Sequence, residues 1–308
     1  MSSYDRSWSR RDCLHLLGLA ALAQGLPLAA AESRRLALQL YTVRSLFPAK
    51  TAETLKAIAD IGYKDAEILR GDAANVVRLA KAVGITPVSM HIESPLVTGN
   101  WAPFQEQMKA AGAPMSQPPE LARVLDEIRS YGISYAVVAY LIPSERGTSA
   151  DDYKKLADQM NAAGEAARKV GITLGYHNHA FEFAKLPDGQ TAFDVMVSRF
   201  DKALVTFELD LFWASVAGND PAALLTKLAG RVGLVHVKDK RAGTPTTFVE
   251  QEVPRTSFGE VGSGTLDFKA ILAAAQRAGV KHYIVEQDQT PGDPLVSIKQ
   301  SYQYLQTI

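Results

Sequence analysis

A segment rich in side chains that can bind metals and move protons follows a short apolar stretch of the chain. Residues 172–175 are apolar apart from one threonine, as in a buried strand, and are followed by Tyr176-His177-Asn178-His179-Ala180-Phe181-Glu182-Phe183. Two imidazoles, an amide and a carboxylate among aromatic rings are costly to bury unless they pair with one another or bind a metal ion. We therefore expect the chemistry of the protein to be centred on this segment.

Other apolar segments also end in side chains that can do chemistry. These residues are Gln39 and Tyr41, Glu67, His91, Tyr140, Glu208 and Asp210, His236 and Lys238, and Glu286 and Gln287. In a barrel of parallel strands, all the carboxyl ends lie at one face. Residues far apart in the sequence would then meet there, and carboxylates and imidazoles would dominate the face.

The segments that must position these residues predict alternating strands and helices. Eight apolar runs have the length of strands buried on both faces, at residues 36–41, 64–69, 85–91, 135–140, 172–177, 204–210, 233–238 and 282–287. Amphipathic stretches lie between them, at residues 51–61, 73–83, 119–131, 150–170, 221–228 and 268–278. Several of these stretches stop just before a glycine, which is typical of the end of a helix.

The alternation predicts an α/β protein with the fold of a single (β/α)8 TIM barrel. An open, doubly wound sheet is the alternative. It would need a glycine-rich phosphate turn after the first strand, and residues 40–44 contain no glycine. Two long stretches, 93–117 and 241–264, follow strand ends and are expected to be either active-site lids or solvated insertions.

Four residues at successive strand ends have the character of metal ligands. They are Glu182, Asp210, His236 and Glu286. Three carboxylates and one imidazole suit one divalent ion such as Mn2+, Mg2+, Co2+ or Zn2+. The alternative is that these side chains pair with one another or cap helices without a metal.

The motifs around these residues resemble the sugar phosphate isomerase/epimerase family of xylose isomerase-like TIM barrels. The matching segments, in chain order, are residues 38–44, 177–183, 209–210 with Trp213, 234–239, 259–264 before Asp267, and 285–286. The resemblance implies that Glu182, Asp210, His236 and Glu286 hold one metal ion. It also implies that Glu182 and Glu286 are the catalytic acid–base pair, one on each side of the sugar.

Further polar and aromatic residues are candidates for binding substrate. They are Gln39, Tyr41, Glu67, His91, His177, His179, Trp213 and Lys238. His177 could equally be structural, Lys238 could neutralise an enolate, and the aromatic rings could stack on a sugar or belong to the core. The turn at 259–264 has the composition of a phosphate cradle, although a turn that enters a helix at Asp267 explains it equally well.

The first 31 residues predict an export signal, and residues 32–308 the barrel. Arg10 and Arg11 precede an uncharged run that ends in Ala29-Ala30-Ala31, as in a twin-arginine signal with a cleavage site. A membrane anchor is the alternative, but Pro27 interrupts the run. Cys13 is the single cysteine and would leave with the signal. We therefore expect a periplasmic protein with no stable membrane anchor after cleavage.

The composition limits the possible partners. Lys and Arg total 33 and Asp and Glu total 33, so no basic surplus indicates nucleic acid. The sequence favours a metal-dependent isomerase or epimerase that removes a proton next to the carbonyl of a sugar, keto-sugar or cyclitol. A lyase or hydratase acting on 3-keto-glycosides is the main alternative. A DNA-repair endonuclease and a non-catalytic sugar-binding barrel are less well supported, and a homo-oligomer is possible.

Overall fold

Eight parallel strands form a closed barrel in the computed structural model, which describes residues 35–110, 112 and 117–308. The strands are β1 Leu36–Gln39, β2 Asp65–Leu69, β3 Thr86–Ile92, β4 Tyr135–Val138, β5 Thr173–His177, β6 Val205–Asp210, β7 Val232–Val237 and β8 His282–Val285. Each strand pairs with the next along the chain, and β8 closes the barrel by pairing with β1. The predicted (β/α)8 fold is confirmed.

Helices cover the outside of the barrel. Their bounds are Thr51–Ile61, Ala73–Ala82, Pro95–Thr98, Trp101–Ala110, Leu121–Ser130, Ala150–Lys169, Ala192–Arg199, Leu211–Val216, Pro221–Lys227, Phe268–Ala278 and Pro294–Leu305. The glycines expected at helix ends all have positive φ, from 75° at Gly132 to 126° at Gly62. At Gly62 a Cβ atom would also lie 2.4 Å from the hydroxyl of Tyr302, so only glycine fits this turn.

The register of the strands decides which polar side chains become neighbours. Gln39 pairs with Glu67, His177 with Glu208, and Asp210 with His236. Residues two apart on a strand point to the same face, so Glu208 and Asp210 both face the barrel interior. Deeper in the barrel the interior is apolar, with Ala37, Leu234 and Ile284 in one cluster. The polar layer is therefore confined to the carboxyl ends of the strands.

The stretch 241–264 returns to the aromatic residues at the carboxyl end of the barrel. Glu250 accepts hydrogen bonds from the hydroxyl of Tyr140 (3.1 Å) and from Arg146 (2.8 Å). Phe258 stacks on Phe212, with ring centroids 4.4 Å apart. These contacts fix the stretch against the barrel, which distinguishes it from a freely solvated insertion. Much of the stretch 93–117 is helical, as Pro95–Thr98 and Trp101–Ala110.

The predicted export signal, residues 1–31, lies outside the described residues and stays a prediction. Within the part of the chain that the structure describes, every helix is too short or too polar to cross a bilayer.

The outer face of β6 generates a stability prediction. The ring of Phe207 is buried and lies 5.2 Å from the ring of Phe193 and 5.3 Å from that of Phe200. Replacing it in Phe207→Ala removes these contacts and leaves a cavity, so we expect a loss of about 3–5 kcal/mol in the free energy of unfolding, measured in urea. Phe248→Ala, at a ring that is 40% exposed, is the control and should change it by less than about 0.5 kcal/mol. Equal losses would contradict the packing described here.

Candidate active site at the carboxyl end of the barrel

Three of the four predicted metal ligands converge at the mouth of the barrel. Single ligand atoms of Asp210, His236 and Glu286 all lie within 4.8 Å of one another, and the three residues are buried. His236 Nδ1 is 2.9 Å from Glu286 Oε2 and 3.8 Å from Asp210 Oδ2. The ammonium of Lys238 lies beside them, 3.0 Å from Asp210 Oδ2 and 2.6 Å from Glu286 Oε2.

A second cluster lies one layer deeper and connects three imidazoles through carboxylates. Ligand atoms of His91, His177, Glu208 and His236 also lie within 4.8 Å of one another. Glu208 Oε2 is 3.0 Å from His177 Nδ1 and 3.1 Å from His91 Nε2.

Glu67 connects this deeper layer to His236. Its Oε1 lies 2.7 Å from His236 Nε2, and it accepts a hydrogen bond of 2.7 Å from Gln39 Nε2. Its other oxygen accepts from the hydroxyl of Ser89. The predicted substrate residues Gln39, Glu67 and His91 are thus brought together, but as a buried hydrogen-bonded network beneath the mouth.

The electrostatics show a site with more negative than positive charge. Burial opposes the charge on Lys238 and His236, yet the surrounding carboxylates raise the pKa of both groups well above its usual range. Burial and the charge of Glu67 raise the pKa of Glu208 to about 7, and burial raises the pKa of Asp210. Buried carboxylates that are driven toward neutrality indicate that an additional cation would be accommodated.

Buried polar atoms without hydrogen-bond partners support the same conclusion. Among the described residues they include Asp210 Oδ2, Glu208 Oε1, His179 Nδ1 and Trp213 Nε1. Asp210 Oδ2 accepts no well-oriented hydrogen bond although the ammonium of Lys238 is 3.0 Å away. Such atoms are costly to leave unpaired, so the donor set of Asp210, His236 and Glu286 fits a divalent ion.

Glu182 is buried but belongs to neither cluster of possible ligands. Its Oε1 accepts a hydrogen bond of 2.9 Å from the hydroxyl of Tyr176, and its Oε2 accepts one of 2.9 Å from the backbone N–H of His179. Burial raises the pKa of Glu182 to about 8. The side chain is held within its own turn, and the structure does not bring it together with Asp210, His236 and Glu286.

An aromatic wall borders the two clusters. The ring of His179 lies 4.9 Å from the ring of Tyr140, 4.9 Å from that of His177 and 5.4 Å from that of Trp213. Burial lowers the pKa of His177 and of His179, so both imidazoles favour the neutral form. Tyr41 is partly exposed, and the guanidinium of Arg44 lies 3.8 Å above its ring.

A comparison with family models decides the affiliation of the chain. The model described as "Xylose isomerase-like TIM barrel" matches residues 55–308. The chain belongs to this family.

Individual relatives of this xylose isomerase-like barrel come from different activities. An inosose dehydratase from Clostridium beijerinckii is 30% identical over 148 residues, which cover 46% of this chain and 49% of that protein. The match therefore spans about half the length of the curated relative.

Two solved structures share the fold. A sugar phosphate isomerase/epimerase from Parabacteroides distasonis has a TM-score of 0.71 and 22% identity, over 88% of this chain and 97% of the other. A 3-keto-D-glucoside 4-epimerase from E. coli has a TM-score of 0.61 and 19% identity, over 89% of this chain and 100% of the other. At these identities the likeness shows the fold alone.

The turn that resembled a phosphate cradle already holds a carboxylate of this xylose isomerase-like barrel. Asp239 Oδ2 accepts hydrogen bonds of 2.9 Å from the backbone N–H groups of Gly262 and Gly264. Asp239 Oδ1 accepts from the N–H groups of Lys240 (2.7 Å) and Leu266 (3.2 Å). A Cβ atom at Gly264 would lie 2.3 Å from Asp239 Oδ1, so the glycine is needed for this close approach. The amides that would bind a phosphate are therefore occupied from within the protein.

Three polar residues of the site were not singled out from the sequence. Asp288 Oδ2 lies 2.8 Å from Lys238 Nζ, and Asn178 Oδ1 accepts from the backbone N–H of Asp210 at 3.0 Å. Glu208 joins the imidazoles of the deeper layer. For Glu208 a signal existed, since it lies two residues before Asp210 on one strand and must share its face. Asp288 lies beyond the end of β8, where alternation gives no direction.

The Asp239 contacts generate a prediction about anion rescue. Asp239→Ala leaves buried backbone N–H groups without an acceptor, so we expect a loss of about 3 kcal/mol or more in the free energy of unfolding. Formate, which supplies a carboxylate of matching size, should restore part of the lost melting temperature. Asp188→Ala, at an exposed turn, is the control and should show neither the loss nor the rescue. A wild-type melting temperature in Asp239→Ala without formate would contradict the assignment.

Proposed function

We propose that the protein is a divalent-metal-dependent enzyme that removes a proton next to the carbonyl of a keto-sugar or cyclitol without a phosphate group. The observation that carries the proposal is the convergence of Asp210, His236 and Glu286 at the barrel mouth, with Asp210 Oδ2 buried and without a hydrogen bond. In TIM-barrel enzymes, active sites lie at the carboxyl ends of the strands. The similarity to an inosose dehydratase and to sugar epimerases supports this class of substrate.

The substrate is proposed to lack phosphate for two reasons. Asp239 fills the group of backbone amides that could have bound a phosphate. The predicted twin-arginine signal favours a periplasmic protein, and sugar phosphates belong to the cytoplasm. Localisation in the periplasm is thus part of the proposal.

The ion and the residues divide the work of proton removal. A divalent ion held by Asp210, His236 and Glu286 acidifies the C–H bond beside the carbonyl and stabilises the negative charge of the enolate. Glu286 is the candidate base, because the charges of Lys238 and His236 outweigh the effect of burial and lower the pKa of its carboxyl. Lys238, which remains an ammonium group here, is placed to neutralise charge that develops on a substrate oxygen.

The walls of the site are suited to a small polar ring. His179 Nδ1 and Trp213 Nε1 are buried without partners and can bind hydroxyl groups of the substrate. Arg146 stacks over Phe181 at 3.7 Å and binds Glu250, so the stretch 241–264 is held near the ring-binding wall. Exclusion of water strengthens the electrostatic interactions on which proton removal depends.

The fate of the proton separates the two candidate reactions. Return of the proton to the other face of the same carbon is epimerisation, and delivery to the adjacent carbon is isomerisation. Departure of a hydroxyl from the β-carbon is elimination, which the similarity to an inosose dehydratase favours as the second candidate. The predicted role of Glu182 as the acid–base partner of Glu286 stays a proposal and is tested separately from that of Glu286.

The reaction gives a direct test by hydrogen exchange. With the metal-loaded protein in D2O, we expect deuterium to enter an inosose or a 3-keto-glucoside at the carbon beside the carbonyl, followed by NMR. Glu286→Gln should slow exchange by about 10²–10⁴-fold, because the base is removed. Glu252→Gln, in the stretch 241–264, is the control. Exchange at the wild-type rate in Glu286→Gln, with metal retained, would exclude Glu286 as the base, and an unsaturated product would identify elimination.

Metal binding is tested independently of turnover. Asp210→Asn should weaken the binding of Zn2+ or Mn2+ by more than about 100-fold in calorimetric titrations, since loss of an outer partner alone costs about 10–100-fold. Asp210 also caps a helix by accepting from the N–H of Trp213, and asparagine keeps that role. Asp220→Asn is the matched control, because Asp220 caps a helix away from the site. Equal affinities in the two variants would place the ion elsewhere.

A further inference from the structure

We infer that His177, held in place by Glu208, completes the metal site in the position that the sequence pattern gives to Glu182. The inference rests on the proposed function, because it assumes that an ion is held by Asp210, His236 and Glu286. It changes the ligand set from three carboxylates and one imidazole to two of each.

The position of His177 matches that of His236 about one oxygen atom. His177 Nε2 lies 3.7 Å from Asp210 Oδ2, and His236 Nδ1 lies 3.8 Å from the same atom. The two imidazole rings are neighbours, with centroids 4.5 Å apart. Ligand atoms that are each about 2.1 Å from one ion lie roughly 3–3.6 Å from each other, so both rings are within a small adjustment of sharing an ion with Asp210. Asp210 Oδ2 is also the buried oxygen that lacks a hydrogen bond.

A carboxylate fixes the far side of each ring. His177 Nδ1 lies 3.0 Å from Glu208 Oε2, and His236 Nε2 lies 2.7 Å from Glu67 Oε1. Histidines that bind metals usually donate their other N–H group to such a partner, which selects the tautomer and orients the ring. The register of β5 and β6, which pairs His177 with Glu208, builds the contact into the barrel. Glu208 is therefore a positioning residue that leaves His177 Nε2 free for an ion.

Glu182 is held on the other side of β5. Successive side chains of a strand point to opposite faces, so Tyr176 and His177 lie on different sides of β5. The ring of Tyr176 packs 5.9 Å from that of Phe200, on the side of the helices. Its hydroxyl binds Glu182 Oε1, while the backbone of His179 binds Glu182 Oε2. Glu182 thus shapes the turn that carries His179, and its carboxylate is anchored away from the barrel axis.

The altered ligand set has a consequence for the metal. Imidazole suits Zn2+ and other transition ions, whereas Mg2+ prefers carboxylate, carbonyl and water ligands. Two imidazoles among four ligands therefore favour Zn2+, Co2+ or Mn2+ over Mg2+.

X-ray absorption spectroscopy on the Zn2+-loaded full chain tests the inference without a variant. We expect scattering from two imidazoles in the wild type and from one in His177→Gln. Wild-type spectra with a single imidazole would overturn the assignment. This measurement reports on the ligands alone and is independent of substrate and turnover.

Variants of the two rival ligands give the second test. His177→Gln should weaken Zn2+ binding by more than about 100-fold and Glu208→Gln by about 10–100-fold, measured by competition with a chelator. Glu182→Gln should bind Zn2+ within about threefold of the wild type but melt at a lower temperature. Melting curves show whether each variant is folded, and Glu208→Gln serves if His177→Gln is not.

The outcomes separate the inference from the proposed function. If the wild type binds no ion, or if Asp210→Asn binds as well as the wild type, both fail. If the wild type binds and Asp210→Asn does not, but the affinity falls in Glu182→Gln and stays unchanged in His177→Gln, the inference fails alone and Glu182 is the fourth ligand.

Discussion

The structure depends on a concentration of buried negative charge at the carboxyl ends of the strands. Glu67, Glu208, Asp210 and Glu286 are buried within one layer of the barrel, against one ammonium group, on Lys238, and a set of imidazoles. Like charges at this distance destabilise one another unless cations or hydrogen-bond donors lie between them. The raised pKa of Asp210 and of Glu208 and the raised pKa of Lys238 are opposite responses to the same excess. A site of this kind binds a cation because the fold has already desolvated its ligands.

The barrel geometry makes such a concentration possible without a specialised loop. Neighbouring strands bring Asp210 beside His236 and His177 beside Glu208 by register alone. The apolar layer formed by Ala37, Leu234 and Ile284 lies beneath and excludes water from below. Each ligand is therefore positioned by a rigid strand rather than by a flexible segment, which is the condition for holding an ion at fixed geometry.

Much of this arrangement could be predicted from the sequence, because strands and glycine-capped helices follow simple periodicities. Asp210, His236 and Glu286 were predicted to meet, and they do, because each ends or directly follows a strand. Glu182 lies five positions beyond His177 in a 3-10 turn, where neither strand nor helix periodicity gives the direction of a side chain. The helix Ala192–Arg199 was also missed, although Thr191 and Asp194 form a recognisable N-terminal cap.

The partners of a buried carboxylate indicate what it can do. Asp239 binds backbone N–H groups, and Glu182 binds a backbone N–H and a tyrosine hydroxyl. Such donors are fixed in the fold, so these carboxylates serve to anchor turns, and their removal leaves unpaired backbone groups. Asp210 and Glu286 instead face an imidazole and an ammonium group, whose positions and protons can be exchanged for those of an ion or a substrate. Residue type and spacing do not distinguish these two kinds of carboxylate; the donors that surround them do.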